Sequence, residues 1–179
     1  MLELSVVTFI LPGYSPRNRE WAEEVAKSLK ISGEVRPIFW DHWTDPIQTL
    51  RPKEKAELIV RLASKKGQIN IIAKSVGTLI AAYIARAIPD RIEKVVLCGV
   101  PSTSLMRQKI FGDAFSNFPP EKIIVYQNDG DPFKKPDEIK TFFSKINTNI
   151  KVIAKPRRDH NYPYYEEFNA YLTSDFRTA

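Results

Sequence analysis

One cysteine, two histidines and seven glycines in 179 residues are few, and each shortage closes off a class of protein. Cys98 has no partner for an internal disulfide. Its place in the apolar run Val95-Val96-Leu97-Cys98 makes it a small hydrophobe, so a disulfide-stapled secreted framework is excluded and a reducing compartment is expected. His42 and His160 show no zinc-ligand spacing, and one cysteine adds nothing to them, so neither metal nor cofactor is expected. Lys74-Ser75 would end a phosphate-binding loop, but Gln68 and Ala73 stand where that loop needs glycine. The first turn, Pro12-Gly13-Tyr14-Ser15, likewise lacks the three spaced glycines of a dinucleotide site. No apolar run approaches the roughly 20 residues of a membrane span. The first residues, Met1 to Val7, show neither a basic segment nor a small-residue cleavage site, so a cytoplasmic protein without membrane contact is expected.

What is present is ordinary for a globular chain: 43% hydrophobic and 27% charged residues, in a length that suits a single domain over 1–179. The net charge of +6 is spread evenly. Residues 1–90 hold 13 basic against 10 acidic side chains and residues 91–179 hold 14 against 11, so each half carries +3. Bases and acids are also interleaved, as in Arg51, Lys53, Glu54, Lys55 and Glu57. This is a solvated helix face rather than a nucleic-acid-binding stripe.

Hydrophobic periodicity alternates along the chain between strand and helix. Strands are predicted at Leu4–Leu11, Val35–Trp40, Ile69–Ala73, Lys94–Gly99, Ile123–Tyr126 and Ile150–Ala154. Helices are predicted at Arg17–Lys30, Pro52–Lys66, Val76–Ala87, Pro136–Ile146 and Tyr164–Leu172. Residues 100–120 read as a longer irregular segment. Alternation of this kind implies an α/β three-layer sandwich, about six mainly parallel strands with helices on both faces. Active sites of such sheets lie beyond the carboxyl ends of the strands, which confines the search to those loops.

The most informative stretch is Ile71-Ile72-Ala73-Lys74-Ser75-Val76-Gly77-Thr78, where a strand turns into a helix at a serine with small residues two before and two after it. It resembles the nucleophile elbow of the α/β-hydrolase family, in which small flanking residues let strand and helix approach while the serine hydroxyl projects beyond the sheet. Ala73 departs from the glycine the family prefers there. Lys74 reads as a solvent-facing or helix-start residue whose charge would bias the site toward anionic substrates.

A serine hydroxyl needs a base, and the base an orienting carboxylate. The resemblance implies Ser75 as nucleophile, His160 as base in the loop after the last strand, and Asp131 as acid in Asn128-Asp129-Gly130-Asp131-Pro132, with Asp129 the alternative. It implies an oxyanion hole from the N–H groups of Val76 and Tyr14, the latter in Leu11-Pro12-Gly13-Tyr14, where Pro12 replaces the family's histidine. No large lid domain is present. Leu105, Met106 and Phe111, with Ile110, Phe115 and Phe118, are then the candidates for a short acyl-binding wall suited to a small or exposed ester.

Each residue has an ordinary alternative. Ser75 could be a helix cap, His160 a surface histidine, and Asp131 a turn former. Trp40-Asp41-His42-Trp43 reads as a packed loop with polar caps that could still form one pocket wall. The expected function is hydrolysis of a small carboxylic ester or thioester. Acyl transfer or peptide cleavage by the same triad, or a silent binding or scaffold protein on the same fold, remain alternatives, and the oligomeric state is undetermined.

Overall fold

A computed structural model describes residues 6–63 and 67–174. Six strands, β1 (Val7–Leu11), β2 (Glu34–Pro37), β3 (Ile69–Lys74), β4 (Ile92–Cys98), β5 (Ile123–Asn128) and β6 (Lys151–Lys155), form one sheet in the order β2-β1-β3-β4-β5-β6. Every neighbouring pair is parallel. Six helices connect or follow them: α1 (Asn18–Ser28), α2 (Pro52–Ala63), α3 (Val76–Ala87), α4 (Leu105–Phe115), α5 (Pro136–Ser144) and α6 (Tyr165–Thr173). The expected three-layer sandwich is what the chain adopts. Of the first predicted strand, Leu4 and Ser5 lie outside the described residues, as does the Lys66 end of the second helix.

Strand alternation splits the core into two layers. Phe9, Leu11, Ile71, Ala73, Val95, Leu97, Ile123 and Val125 face α2 to α5. Ile10, Ile72, Val96, Cys98, Ile124 and Tyr126 face α1 and α6. A strand buried on both faces has no need of polar alternation, which is why β1, β3 and β5 are buried along their whole length.

Residues 105–115 are the main departure from expectation: they form α4, whose Ser104 cap accepts the Arg107 N–H at 3.4 Å. The helical signal was obscured because Leu105 and Met106 are apolar yet point to solvent, while Gly112 interrupts the run. Ile110, Phe111, Ala114 and Phe115 make the inward stripe. Phe111 meets Phe115, Phe142 and Phe143 edge-on, with ring centroids 5.4–5.9 Å apart across Phe142, Phe115 and Phe143.

Register brings the strand ends that matter side by side. Leu11 pairs with Ala73, Lys74 with Cys98, Cys98 with Tyr126, and Asn128 with Lys155. The loops after β1, β3, β4, β5 and β6 therefore open on one edge of the sheet.

Candidate active site

Ser75 occupies the single residue between β3 and α3, with φ 56° and ψ −121°. Among the described residues it is the only non-glycine with positive φ. A backbone in this region costs on the order of 1–3 kcal/mol and persists only when its surroundings impose it. Here they do. Its N–H donates to the Cys98 carbonyl at 2.9 Å, and its own carbonyl accepts from the Thr78 N–H and hydroxyl. Gly77 explains the small-residue requirement: a Cβ there would lie 2.2 Å from the Leu11 carbonyl oxygen, so α3 begins almost in contact with the end of β1. Ala73, fully buried between neighbouring strands, is accommodated in the position where glycine is usual.

Beyond β5, Asp131 is completely buried. Its Oδ2 accepts from His160 Nδ1 at 2.6 Å and from the Tyr162 hydroxyl at 2.5 Å, and its Oδ1 accepts from the Phe133 N–H at 2.8 Å. Burial alone would raise its pKa. The donors from His160, Tyr162 and Phe133 outweigh that and hold the carboxyl below the usual carboxylate range. Asp129 is exposed and its N–H donates to Lys155, so the carboxylate meeting His160 is that of Asp131.

His160 lies in the loop between β6 and α6. A Cβ on Gly99 would come within 2.7 Å of its Cε1, which places the ring against the residue following Cys98, the acceptor of the Ser75 N–H. With Nδ1–H directed at Asp131, Nε2 carries the lone pair. That nitrogen is buried and bonds to no described residue, Ser75 Oγ included.

The loop after β1 is held by the segment that follows β2. Trp40 Nε1 donates to the carbonyls of Pro12 and Gly13, Trp43 Nε1 donates to that of Tyr14 at 2.7 Å, and His42 Nε2 lies 2.8 Å from the same oxygen. The His42 ring also stacks on Tyr14 at 4.5 Å. The Trp40–Trp43 segment is thus a packed loop that holds the carbonyls of Pro12, Gly13 and Tyr14. The N–H groups of Tyr14 and Val76 donate to no described residue.

Two expectations need correction. Lys74 is not solvent-facing: it is 6% exposed, its ammonium 5.4 Å from the centre of the Trp21 ring, and burial lowers its pKa to about 8 against the opposing pull of Cys98, Asp159 and Asp131. As the last residue of β3 it falls on the α1/α6 side by strand alternation. Phe111 is not a pocket wall either. It is fully buried against Phe115, Phe142 and Phe143, because α4 turns its aromatic stripe to the core. Leu105 and Met106 remain 85% and 64% exposed at the start of α4.

The sequence reading missed three side chains. Tyr162 supplies the third donor to Asp131. Asn128 fastens the histidine loop, donating from Nδ2 to the carbonyls of Asp159 and Asn161, both at 2.8 Å, while its Oδ1 accepts from Tyr164. Phe133, 56% exposed, meets the His160 ring edge-on at 4.7 Å. The only available signal was the aromatic density of His160-Asn161-Tyr162-Pro163-Tyr164, which carries no periodicity.

Among the described residues, no three His, Cys, Asp or Glu side chains gather as a metal site, and no helix is long and apolar enough to cross a membrane. No protein-family model matches the sequence, and no curated protein matches it. Solved structures do. Est1E from Butyrivibrio proteoclasticus, determined with ferulic acid bound, superposes with a TM-score of 0.70 at 15% identity, over 95% of this chain and 89% of its own. The chain has the α/β-hydrolase fold. A lidless α/β serine hydrolase from Xanthomonas campestris matches with a TM-score of 0.64 at 14% identity, covering 96% of this chain and 82% of its own. Mouse alpha/beta hydrolase domain-containing protein 10 matches at 0.66 and 10% identity, over 93% and 87%. At such identities the likeness is one of α/β-hydrolase architecture, and chemistry has to be argued from the site.

Proposed function

We propose that this chain is a serine hydrolase that cleaves small carboxylic esters or thioesters through an acyl-enzyme. The observation that carries the reading is the pairing of His160 Nδ1 with buried Asp131, which directs Nε2 away from the carboxylate, on a ring packed against Gly99, the residue after the Cys98 carbonyl that holds the strained turn at Ser75. In this mechanism Ser75 Oγ attacks the carbonyl carbon and its proton passes to His160 Nε2. Asp131 keeps the imidazole in the required tautomer and offsets its positive charge. The Val76 and Tyr14 N–H groups donate to the developing oxyanion. The tetrahedral intermediate collapses, the alcohol or thiol leaves with the proton from Nε2, and water deacylates the serine by the same steps.

The surroundings favour a small or open substrate. Clefts of 380–550 Å³ between other elements are lined by residues other than Ser75, Asp131 and His160. Tyr14 and Phe133, exposed in the connections after β1 and β5, and Leu105 and Met106, exposed at the start of α4, are the candidates for an apolar rim. Among p-nitrophenyl esters, acetate and butyrate are expected to be hydrolysed faster than palmitate. A strong preference for the long chain would contradict a shallow site.

The deciding experiment is intact-mass analysis after exposure to a fluorophosphonate. A single adduct on the wild type, absent from Ser75→Ala and His160→Ala, is the expected result. A folded wild-type protein that takes no adduct would favour a silent binding protein of the same fold.

A further inference from the structure

We propose that Tyr162 is a positioning residue that sets the basicity of His160 by sharing the Asp131 oxygen on which the imidazole rests, an inference that builds on the hydrolase reading above. Both donors converge on Oδ2, His160 Nδ1 from 2.6 Å and the Tyr162 hydroxyl from 2.5 Å. An oxygen that already accepts a strong hydrogen bond has less negative charge to offer a second donor. The tyrosine therefore weakens the pull of Asp131 on the imidazolium and keeps His160 less basic than a pair isolated from it would be. Burial and the adjacent carboxylate push the phenol pKa far up, so Tyr162 stays protonated and remains a donor throughout the working range.

The surrounding structure fixes this geometry. Tyr162 is fully buried, its carbonyl accepts from Trp21 Nε1 at 3.0 Å, and its ring lies against Gly99, where a Cβ would meet Cε2 at 2.5 Å. Gly99 adopts φ 62° and so gives up its side-chain volume to the tyrosine and histidine together. The other charged or titratable groups around the pair include Lys74 at the end of β3, buried Cys98 at the end of β4, Asp129 and Lys135 on the β5 side, Arg157, Arg158 and Asp159 in the histidine loop, and Tyr164, whose ring centroid lies 6.0 Å from that of Tyr162. Lys135 Nζ donates to the Asp131 backbone carbonyl, and Asp159 is paired with Arg157. None of these changes when only the hydroxyl is removed.

The hydroxyl also accepts the Asn128 N–H at 3.2 Å, so Tyr162→Phe will lower stability whatever its effect on the histidine. The test therefore reads titration. The imidazole resonance that disappears in His160→Gln is followed by NMR against pH in the wild type and in Tyr162→Phe, and kcat/KM for p-nitrophenyl acetate is measured over the same range. Loss of the shared donor is expected to raise the His160 pKa by about 0.5–1 unit and to carry the acid limb of kcat/KM upward with it. At the plateau, kcat should fall about tenfold with KM unchanged, because Asp131, deprived of one of its three donors, no longer fixes the position of the imidazole as firmly. A second protein with 3-fluorotyrosine at position 162 keeps the size and the Asn128 bond but is a stronger donor, and its His160 pKa should move down. This arm decides the matter if Tyr162→Phe does not fold.

Superimposable His160 titrations in folded proteins, or shifts of the opposite sign, would overturn the proposal. The expected shifts between wild type and variants, together with a wild type that takes no fluorophosphonate, would support the tuning and refute the hydrolase. Labelling of Ser75 without any shift would do the reverse.

Discussion

Replacing Ser75 with alanine should reduce kcat/KM for p-nitrophenyl acetate by at least about 10⁴-fold, equivalent to about 5.5 kcal/mol of transition-state stabilisation. His160→Ala should cost about the same, and the double variant little more, because the two groups act as one unit and lose their joint effect when either is removed. Non-additivity is the informative part of the measurement. Independent contributions would multiply, and a double variant about 10⁸-fold down would mean that the histidine is not the base for this serine. The structure provides a physical ground for a unit. Ser75 and His160 are both set against the end of β4, through the Cys98 carbonyl and Gly99, and Asp131 anchors the ring from β5.

A large loss of stability is expected from Gly77→Ala. The added Cβ would stand 2.2 Å from the Leu11 oxygen and 2.9 Å from its carbon, and a central strand cannot yield that much without moving the turn that presents Tyr14. Destabilisation of about 2–4 kcal/mol by urea titration is predicted, with a loss of activity that persists under conditions where the protein is folded. Gly112→Ala is the matched control. It also lies in a helix, α4, but its Cβ would meet nothing within 4 Å, so it should be stabilising by about 0.5–1 kcal/mol through helix propensity alone. If both substitutions had the same small effect, close contact between α3 and β1 would not be what the elbow requires.

Electrostatics at the site centre on two buried groups with opposite fates. Asp131 is stabilised as a carboxylate because three donors surround it, despite a position that by burial alone would favour the neutral acid. Lys74 has no carboxylate within ion-pairing distance among the described residues and rests against the Trp21 ring, so burial dominates and its pKa falls to about 8. Hydrogen-bond donors set the direction for the acid, and desolvation by burial set it for the base.

By itself the sequence determined the layer architecture and the chemical types at the site. Runs such as Asn70-Ile71-Ile72-Ala73 and Val95-Val96-Leu97-Cys98 can only be strands covered on both faces, and a serine between Ala73 and Gly77 at a strand-to-helix junction marks an elbow, since both signals are local in the chain. The placing of Asp131 and His160 at strand ends was likewise legible from element order. Tertiary structure alone decided which carboxylate meets the histidine, that Tyr162 shares its oxygen, that Lys74 turns away from solvent, and that Phe111 belongs to the core while Phe133 stands at the rim. Those outcomes depend on directions of side chains from loops without periodicity, and on contacts between residues about 30 to 140 positions apart, as in Asp131–His160 and Trp21–Tyr162. Periodicity in a sequence reports which face of an element is buried; it holds no record of which neighbour waits on that face.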